Sequence, residues 1–411
     1  MRQKRSICKI IIAVLLLFFI LYLNPFGFVK KSHIEITGVI QDLYRLLKHN
    51  EPVSEWFKNS YNACSGNFVG YNNEFAMLKD VIVDPKMPET FYMQCDGEKM
   101  PDYRFEEGKE GTHLNKWIDD IHKLETSEFL NVETDNKFTI VVKRYEYANM
   151  YHTMTDWYNA FLMIIFFNQT GRSTRIILMN EQTRSALDET WEILFDEVLS
   201  VRQLSKPVRF SKLVWNILGY ESPLNFHGLA SLPYIEEFHK FFLGRFDIKN
   251  TKPLQCKKLL ILFIWRRNYV AHPDNPTGLV KRKIKNEEEL VLTLREIYPD
   301  HDIQGIQLDA IPMKEQLQWI TKTDVLIGMH GAGLSHILFL PRHAAVLELF
   351  PLYWTKYTHH HFSAMSSWRG LKYASWQNLN PGNEYPDYSS YMPPSVLATE
   401  VKMLVNEMCP S

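Results

Sequence analysis

The stretch TDVLIGMHGAGLSHILFLP, residues 323–341, decides the fold prediction. The apolar run VLIG predicts a buried strand, and LSHILFL predicts the start of a helix. A glycine-rich turn between a strand and a helix presents free N–H groups, to which phosphate groups bind. Gly331 and Gly333 would let such a group approach the backbone, and His330 and His336 flank the turn as further donors. The alternative interpretation is a tight turn that packs the helix on the strand without a ligand.

Strands and helices alternate in both halves of the chain. The first half predicts a strand over 137–147, a helix over 152–171, a strand over 174–180 and further helix in ALDETWEILFDEVL. The second half predicts strands in KKLLILFIWRR, DIQGIQLD and DVLIG and over 344–351, with helices over 286–299 and in MKEQLQWITKT. This alternation is typical of an α/β fold in which helices cover both faces of a parallel sheet.

The length of 411 residues exceeds one ordinary core, so two domains are expected. We expect a cytoplasmic tail at 1–9, a transmembrane signal-anchor at 10–29 and a stem at 30–60, because an uncharged apolar run follows a basic segment. A cleaved signal peptide is the alternative. The N-terminal domain is expected at 61–245 and the C-terminal domain at 246–411.

Charge and cysteine usage narrow the class of protein further. The formal net charge of −1 gives no reason to expect nucleic acid as a partner. Four cysteines follow the predicted anchor, and they allow three pairings between which the sequence does not choose. Our working expectation pairs Cys64 with Cys95 and Cys256 with Cys409, with free buried thiols as the alternative. Asn168 begins the single sequon for N-glycosylation, Asn-Gln-Thr.

Charged residues at predicted strand ends of the second half suggest ligand contacts. Arg266 and Arg267 end a buried strand, at the sheet edge where an open parallel sheet binds its ligands. An arginine there can bind a diphosphate through two oxygens, whereas a salt bridge at the sheet edge is the structural alternative. Glu348 also follows an apolar run, and its carboxylate could accept hydrogen bonds from ribose hydroxyls; a solvated glutamate is the alternative.

The segment KRYEYANMYHTMTDWY of the first half carries an acid–base set. His152 and Asp156 are four residues apart and share a helix face. Asn149 precedes that helix, and Arg144 and Glu146 stand at the preceding strand end. A displacement at a sugar carbon needs a base for the acceptor hydroxyl, and Asp156, His152 or Glu146 could serve. The alternative is a helix cap with a surface network.

Two further motifs resemble metal sites but favour ordinary surface structure. The DHD motif at 300–302 has the Asp-x-Asp form of metal-dependent sugar transferases, yet it follows a predicted helix and a proline, as a solvated turn does. The HHH run at 359–361 could bind a metal adventitiously. We therefore expect no metal site.

The motifs GMHGAGLSHILFLP, AVLELFP and RRNYVAHP resemble the family-61 glycosyltransferases. KRYEYANMYHTMTDWYNAF, MKEQLQWITKTDVLIGMHGAGLSH and WRGLKY narrow the resemblance to the N-glycan core β1,2-xylosyltransferase branch, from about residue 138 to the end. The resemblance implies a GT-B fold, in which two Rossmann-like domains face a cleft, with the acceptor side in 61–245 and the nucleotide-sugar site in 246–411. It also implies an inverting, metal-free transfer of xylose from UDP-xylose to the core β-mannose of N-glycoproteins in the Golgi.

The resemblance also implies roles for the candidate residues. The base would be Asp156 first, because a carboxylate is basic at luminal pH without tuning, with His152 second and Glu146 as a further candidate. The nucleotide sugar would be bound by the glycine-rich turn with its two histidines (the Gly/His turn, residues 330–336), the arginines and the strand-end groups. The residues are Arg144, Asn149, Arg266, Arg267, His330, Gly331, Ala332, Gly333, Leu334, His336 and Glu348. The alternatives are a UDP-GlcNAc-dependent O-GlcNAc transferase, acting on EGF-like domains or O-mannose glycans, and a non-catalytic Golgi sugar-binding protein.

Overall fold

A computed structural model describes residues 60–410, with gaps at 72–73, 88–89, 96–120, 125–128, 130, 145, 180–183, 250–252 and 272–274. These residues belong to one compact unit, Glu51–Ser411. None of the helices in the described ranges is long and apolar enough to cross a membrane. The expected tail and anchor lie outside the described residues, as does all of the expected stem except its last residue.

Strands and short helices alternate along the described chain. The helices are α1 Met150–Phe166, α2 Asp188–Leu194, α3 Ile235–Arg245, α4 Glu287–Ile297, α5 Met313–Ile320, α6 His361–Trp368 and α7 Pro394–Met408. The strands are β1 Ser60–Ala63, β2 Phe68–Tyr71, β3 Phe75–Leu78, β4 Val81–Val83, β5 Phe91–Met93, β6 Ile121–Lys123, β7 Thr134–Asp135, β8 Phe138–Val142, β9 Thr174–Leu178, β10 Glu197–Ser200, β11 Val208–Phe210, β12 Leu213–Trp215, β13 Leu260–Ile264, β14 Lys283–Ile284, β15 Asp302–Ile306, β16 Val325–Met329, β17 Ala345–Phe350, β18 Lys372–Gln377 and β19 Ser389–Ser390.

The C-terminal half is built on the predicted parallel sheet. Its five strands lie in the order β15-β13-β16-β17-β18, and every neighbouring pair is parallel. The chain leaves β13 toward β15 on one side and returns to β16 on the other. The strand order therefore reverses between β13 and β16, and this crevice is where open α/β sheets bind ligands. Arg266 and the Gly/His turn follow these two strands.

The N-terminal half is a mixed sheet. Its seven strands lie in the order β1-β2-β3-β12-β8-β9-β10, parallel from β12 to β10 and antiparallel from β1 to β3. A second sheet, β6-β5-β4-β11-β7, takes four of its five strands from residues 81–135. The prediction of helix through FDEVL was wrong, because α2 ends at Leu194 and residues 197–200 pair with β9 as strand β10. The α/β class is confirmed, whereas the GT-B arrangement stays a prediction.

Helix α1 joins the two halves. Fourteen of its 17 residues are buried, in one apolar core that includes Trp157 from the N-terminal half and Leu326 and Phe339 from the C-terminal half. The helix begins at Met150, two residues before the predicted start, because the side chain of Asn149 caps it. Both halves therefore fix the position of the N-terminal end of α1.

The predicted disulfide pairing is confirmed. Cys64 is bonded to Cys95, and Cys256 is bonded to Cys409. The second bridge ties the end of α7 to the segment before β13, across 153 residues of sequence. A bridge over so long a loop restricts the unfolded chain strongly. Asn168 is exposed just beyond α1, so the sequon is sterically accessible.

Removing the Cys256–Cys409 bridge should destabilise the protein. We expect the double variant Cys256→Ser/Cys409→Ser to lose about 2–5 kcal/mol of unfolding free energy, because the unfolded chain regains conformational entropy. Urea unfolding of the oxidised protein measures the loss. Met403→Ala, at an exposed site on the same helix, is the control and should change little. A double variant as stable as this control would contradict the prediction.

Candidate active site

The Gly/His turn approaches an arginine too closely for any side chain at Gly331. A Cβ added to Gly331 would lie 2.0 Å from Nη1 of Arg266. Gly328 is also restricted, because its Cβ would meet Leu334 Cδ2 at 3.0 Å. The helix Ala332–Phe339 that follows is a 3₁₀ helix, whose first N–H groups have no acceptor within the helix. The glycines therefore allow Arg266 to pack closely against the turn, and backbone N–H donors are exposed beside this arginine.

The structure separates the two neighbouring arginines. Arg266 Nε and Nη2 each donate to the carbonyl of Lys281 at 3.3 Å, which holds the guanidinium beside the turn. Arg267 turns the other way and bonds Oε2 of Glu287 at 2.8 Å. Of the two expected arginines, Arg266 therefore lies beside the turn, whereas Arg267 is held by Glu287. The strand ends at Ile264, two residues before Arg266, so neither arginine belongs to it.

Sequence reasoning missed a second guanidinium at the crevice. Arg282 lies over the ring of Trp354, 4.5 Å from its centroid, and its Nε is buried without a hydrogen-bond partner. Burial lowers the pKa of Arg266 to about 10 and also lowers that of Arg282. Within the described residues, neither guanidinium forms an ion pair with a carboxylate. The available signal was the basic run KRK that leads into β14.

His330 lies at the crevice in a buried chain of hydrogen bonds. Its Nδ1 bonds Oε1 of Glu348 at 2.5 Å, and the hydroxyl of Tyr373 donates to Oε2 of Glu348 at 2.5 Å. Burial and then the neighbouring cationic groups lower the pKa of His330, and burial raises the pKa of Glu348 to about 8. Both groups are then neutral near pH 7. A protonated Glu348 donates to Nδ1, which leaves Nε2–H of His330 as a donor.

Several expected ligand contacts need correction. Glu348 is the fourth residue of β17 and is fully buried, so it is not a strand-end group, and its carboxyl contacts His330 instead. Leu334 and His336 are each 1% exposed and pack into the core, where Nδ1 of His336 bonds the carbonyl of Gly333 at 2.8 Å. Both side chains are buried because the 3₁₀ helix directs them toward the sheet. Ala332 and Gly333 remain partly exposed.

Two candidates on the acceptor side have structural partners. The side-chain oxygen of Asn149 accepts the N–H of Tyr151 at 3.0 Å, which is the helix-capping alternative. Arg144 is 3% exposed, and its Nη1 bonds Oδ1 of Asp188 at 2.6 Å. The prediction that Asn149 and Arg144 bind the nucleotide sugar through their side chains is therefore not supported by their positions.

Asp156 does not fit the reason for which it was preferred as the base. Its side chain is 1% exposed, and neither carboxylate oxygen has a hydrogen-bond partner among the residues that the structure describes. Burial raises its pKa well above the ordinary range, and the charge of Arg144 opposes this only in part. Burial therefore favours the protonated form of this carboxyl group. The assumption that it is basic without tuning was wrong, because the helix turns Asp156 into the core.

The buried carboxyl should make stability depend on pH. The unfolded chain releases the Asp156 proton near its ordinary pKa, whereas the folded protein retains it, so wild-type stability falls as pH rises between the two pKa values. Asp156→Asn removes this loss, at about 1.4 kcal/mol per pH unit within that window. Urea unfolding at pH 5 and pH 7 should show the advantage of the variant growing with pH. Asp300→Asn, at an exposed site, is the control, and a pH-independent difference would contradict the prediction.

His152 and Glu146 lie nearer the crevice. His152 is partly exposed on the first turn of α1, with its ring centroid 5.8 Å from that of Tyr220. Burial lowers the pKa of His152, and the charge of Glu146 opposes this effect. The imidazole is therefore neutral near pH 7 and able to accept a proton.

Histidines from both halves meet at the crevice. The rings of His227 and His361 are 4.3 Å apart, and that of His361 lies 5.6 Å from His330. His359 is 5.4 Å from His330, so part of the discounted HHH run belongs to the site. Nε2 of His227 lies 3.2 Å from the hydroxyl of Tyr151, which fixes its ring. Sequence reasoning missed His227 because nothing in its local pattern distinguishes it.

Asp302, from the DHD motif that resembles a metal site, has a hydrogen-bond partner within the protein. Asp302 begins strand β15, and its Oδ1 accepts from Gln304 at 2.6 Å. In the part of the chain that the structure describes, no group of three or more His, Cys, Asp or Glu side chains could hold a metal ion.

Gly331→Ala tests the close approach of Arg266 to the turn. We expect the added methyl group to push the flexible guanidinium aside, with little loss of stability but roughly 10–100-fold weaker UDP binding. Titration calorimetry and thermal unfolding separate the two effects. Gly244→Ala is the matched control, because a Cβ at that position meets no atom within 4 Å. Unchanged UDP binding by Gly331→Ala would contradict this placement of Arg266.

A comparison with protein families gives a match over much of the chain. A family model described as Glycosyltransferase 61 matches residues 107–347, which include Arg266, Arg282 and the Gly/His turn. The match ends before Glu348, Tyr373 and the HHH run. More than half of the chain therefore matches the family.

The matches with named relatives cover much of this chain. This chain spans about half the length of those relatives. The chain is 31% identical over 263 residues to a beta-1,2-xylosyltransferase of Oryza sativa subsp. japonica, across 57% of this chain and 48% of that protein. It is 27% identical to a beta-1,2-xylosyltransferase of Arabidopsis thaliana, across 69% and 59%. It is 26% identical to an EGF domain-specific O-linked N-acetylglucosamine transferase of Mus musculus, across 70% and 54%.

A comparison with solved structures finds a family 9 glycosyl transferase of Veillonella parvula. The TM-score is 0.32 at 9% identity, and the match covers 66% of this chain and 98% of that one.

Proposed function

The chain belongs to glycosyltransferase family 61, and on that premise we propose that it transfers xylose from UDP-xylose to N-glycans, with inversion. The acceptor would be the 2-hydroxyl of the core β-mannose. The observation that carries the proposal is a pair of guanidinium groups at the crevice, Arg266 beside Gly331 and Arg282, neither of which forms an ion pair with a carboxylate among the described residues. Similarity to the Oryza and Arabidopsis xylosyltransferases supports the choice of donor.

The crevice offers fixed positive charge for the leaving group. As the bond between the sugar carbon and the diphosphate oxygen breaks, negative charge gathers on UDP. Arg266, Arg282 and Nε2–H of His330 would stabilise that charge, and they need little reorganisation because the surrounding structure holds them. We therefore propose that transfer needs no metal ion.

His152 is our choice for the base, in place of Asp156. The acceptor oxygen forms a bond to the sugar carbon, the bond to the diphosphate breaks on the opposite side, and the hydroxyl proton passes to the imidazole. Support comes from the partial exposure of His152 and from the burial that keeps its ring neutral. Asp156 lacks this exposure, and burial raises its pKa and so favours its protonated form. Glu146 would stabilise the imidazolium that forms.

A transfer assay tests the proposed activity. The protein is incubated with a GlcNAc-terminated N-glycan and either UDP-xylose or UDP-N-acetylglucosamine, with and without EDTA. A mass gain of one pentose that survives EDTA supports the metal-free xylosyltransferase. Transfer of N-acetylhexosamine to EGF-domain peptides would instead support the activity named for the Mus musculus relative. No transfer from either donor would favour a non-catalytic sugar-binding protein.

We further propose that the protein is a type II membrane protein of the Golgi with its catalytic part in the lumen. The apolar run at 10–29 with basic residues before it supports an anchor. The two disulfides and the exposed sequon at Asn168 suit an oxidising compartment. Protease protection of a C-terminal tag in intact microsomes would support this topology, and digestion of the tag would overturn it.

A further inference from the structure

A second pocket lies at the other edge of the C-terminal sheet. It has a volume of about 520 Å³ and lies between helix α3 and the segments that precede β17 and β18. Arg342 and His343 come just before β17, and Arg369 comes just before β18. The Gly/His turn, by contrast, follows the end of β16. A strand of five residues spans roughly 16 Å, so this pocket is separate from the candidate active site.

The wall of the pocket has an excess of positive charge. Lys240, Arg342 and Arg369 line it, against Glu236 as its single carboxylate. Arg369 is buried, and its Nη1 bonds Oε1 of Glu236, so this pair is locally neutral. Arg342 shares the same carboxylate at 3.0 Å, and Lys240 has no carboxylate of its own in the pocket wall. The charges of Arg342 and Lys240 are therefore largely uncompensated.

The positions of these cations suit an anion that bridges the two halves. Lys240 belongs to α3 of the N-terminal half, whereas Arg342 belongs to the C-terminal half. The side chain of Arg342 is 72% exposed, and an ion pair so exposed contributes little to stability. The guanidinium can therefore turn from Glu236 toward a ligand at small cost. Its fork of N–H donors matches two oxygens of a phosphate or a sulfate.

We propose that this pocket binds a doubly charged tetrahedral oxyanion, phosphate or sulfate, either free or as an ester on a sugar. Lys240 and Arg342 provide the charge, and buried Arg369 fixes the geometry through Glu236. The apolar side chains of Leu243 and Ile248 line the same pocket and give room for the body of an ester. The volume is within the usual range for small-molecule sites.

Thermal unfolding with added salts tests the proposal. Sodium phosphate and sodium sulfate are titrated against sodium chloride at matched ionic strength, in wild type and in Arg266→Gln, which silences the diphosphate site. We expect both proteins to gain roughly 2–5 °C near saturation, because the anion binds only the folded protein. A second arm replaces phosphate with glucose 6-phosphate. A larger gain with the ester identifies a sugar phosphate as the ligand, and an equal gain identifies the free anion.

Gly244 supplies a matched pair of variants. It lines the pocket, and a Cβ there meets no atom within 4 Å. Gly244→Ala should keep the response to phosphate, whereas Gly244→Glu should lose it by adding a negative charge to the pocket. Arg342→Gln, at an exposed site, should lose the response without loss of folding. The proposal is overturned if wild type shows no gain over chloride, if Gly244→Glu and Arg342→Gln respond as wild type does, or if Arg266→Gln abolishes the response.

Discussion

Replacing Arg266 with glutamine should lower kcat/KM for the nucleotide sugar by about 10²–10³-fold. The guanidinium lies beside Gly331 at the crevice between β13 and β16, where charge on the leaving group would develop. Glutamine retains a donor but loses the positive charge and the paired N–H groups. The protein should still fold, because Arg266 makes only two long bonds to the carbonyl of Lys281. Initial rates with UDP-xylose, together with the melting temperature, measure the two effects.

Arg267→Gln is the matched control for that experiment. The two arginines are adjacent in sequence, but Arg267 bonds Glu287 and is half exposed. Its loss should change kcat/KM by less than about threefold, because exposed ion pairs contribute little. If the effects of the two substitutions are equal, or if Arg267→Gln is the more damaging, the prediction that Arg266 rather than Arg267 acts at the crevice is wrong. Arg282→Gln should resemble Arg266→Gln.

Replacing His152 with alanine should lower kcat by about 10²–10⁴-fold while UDP binding stays near that of the wild type. The imidazole lies on the first turn of α1 and would accept the proton of the acceptor hydroxyl. Burial lowers its pKa below the ordinary value of 6.5, so the neutral, basic form persists to lower pH. The acidic limb of the kcat/KM profile should therefore lie below pH 6.5. Rate measurements between pH 4.5 and pH 8 determine the limb.

Asp156→Asn separates the two candidate bases. Because Asp156 is buried and burial favours its protonated form, its replacement should leave kcat within about tenfold of the wild-type value and remove no limb from the pH profile. A large loss of activity in Asp156→Asn, together with an active His152→Ala, would restore Asp156 as the base. Glu146→Gln should have an intermediate effect, since its charge supports the imidazolium.

The errors at the site share one physical cause. Glu348 and Asp156 both occupy positions that the local pattern allows to face a ligand, yet both are buried. Local periodicity gives the face of a helix or strand on which a residue lies, but not what covers that face. Strand β18, with Tyr373, covers Glu348, and the shared core covers Asp156. For the same reason the capping role of Asn149 and the pairing of Arg144 with Asp188 were visible only in three dimensions.

The sequence by itself determined the α/β class, the parallel C-terminal sheet, the position of the Gly/His turn and the resemblance to family 61. Those features depend on residue type and spacing along the chain. Local sterics and the burial of regularly spaced apolar residues are enough to decide where strands, helices and turns form. Only the tertiary structure selected Arg266 over Arg267 and brought Arg282, His227 and His361 to the crevice. Such residues are distant in sequence, and their meeting depends on how the two halves pack around α1.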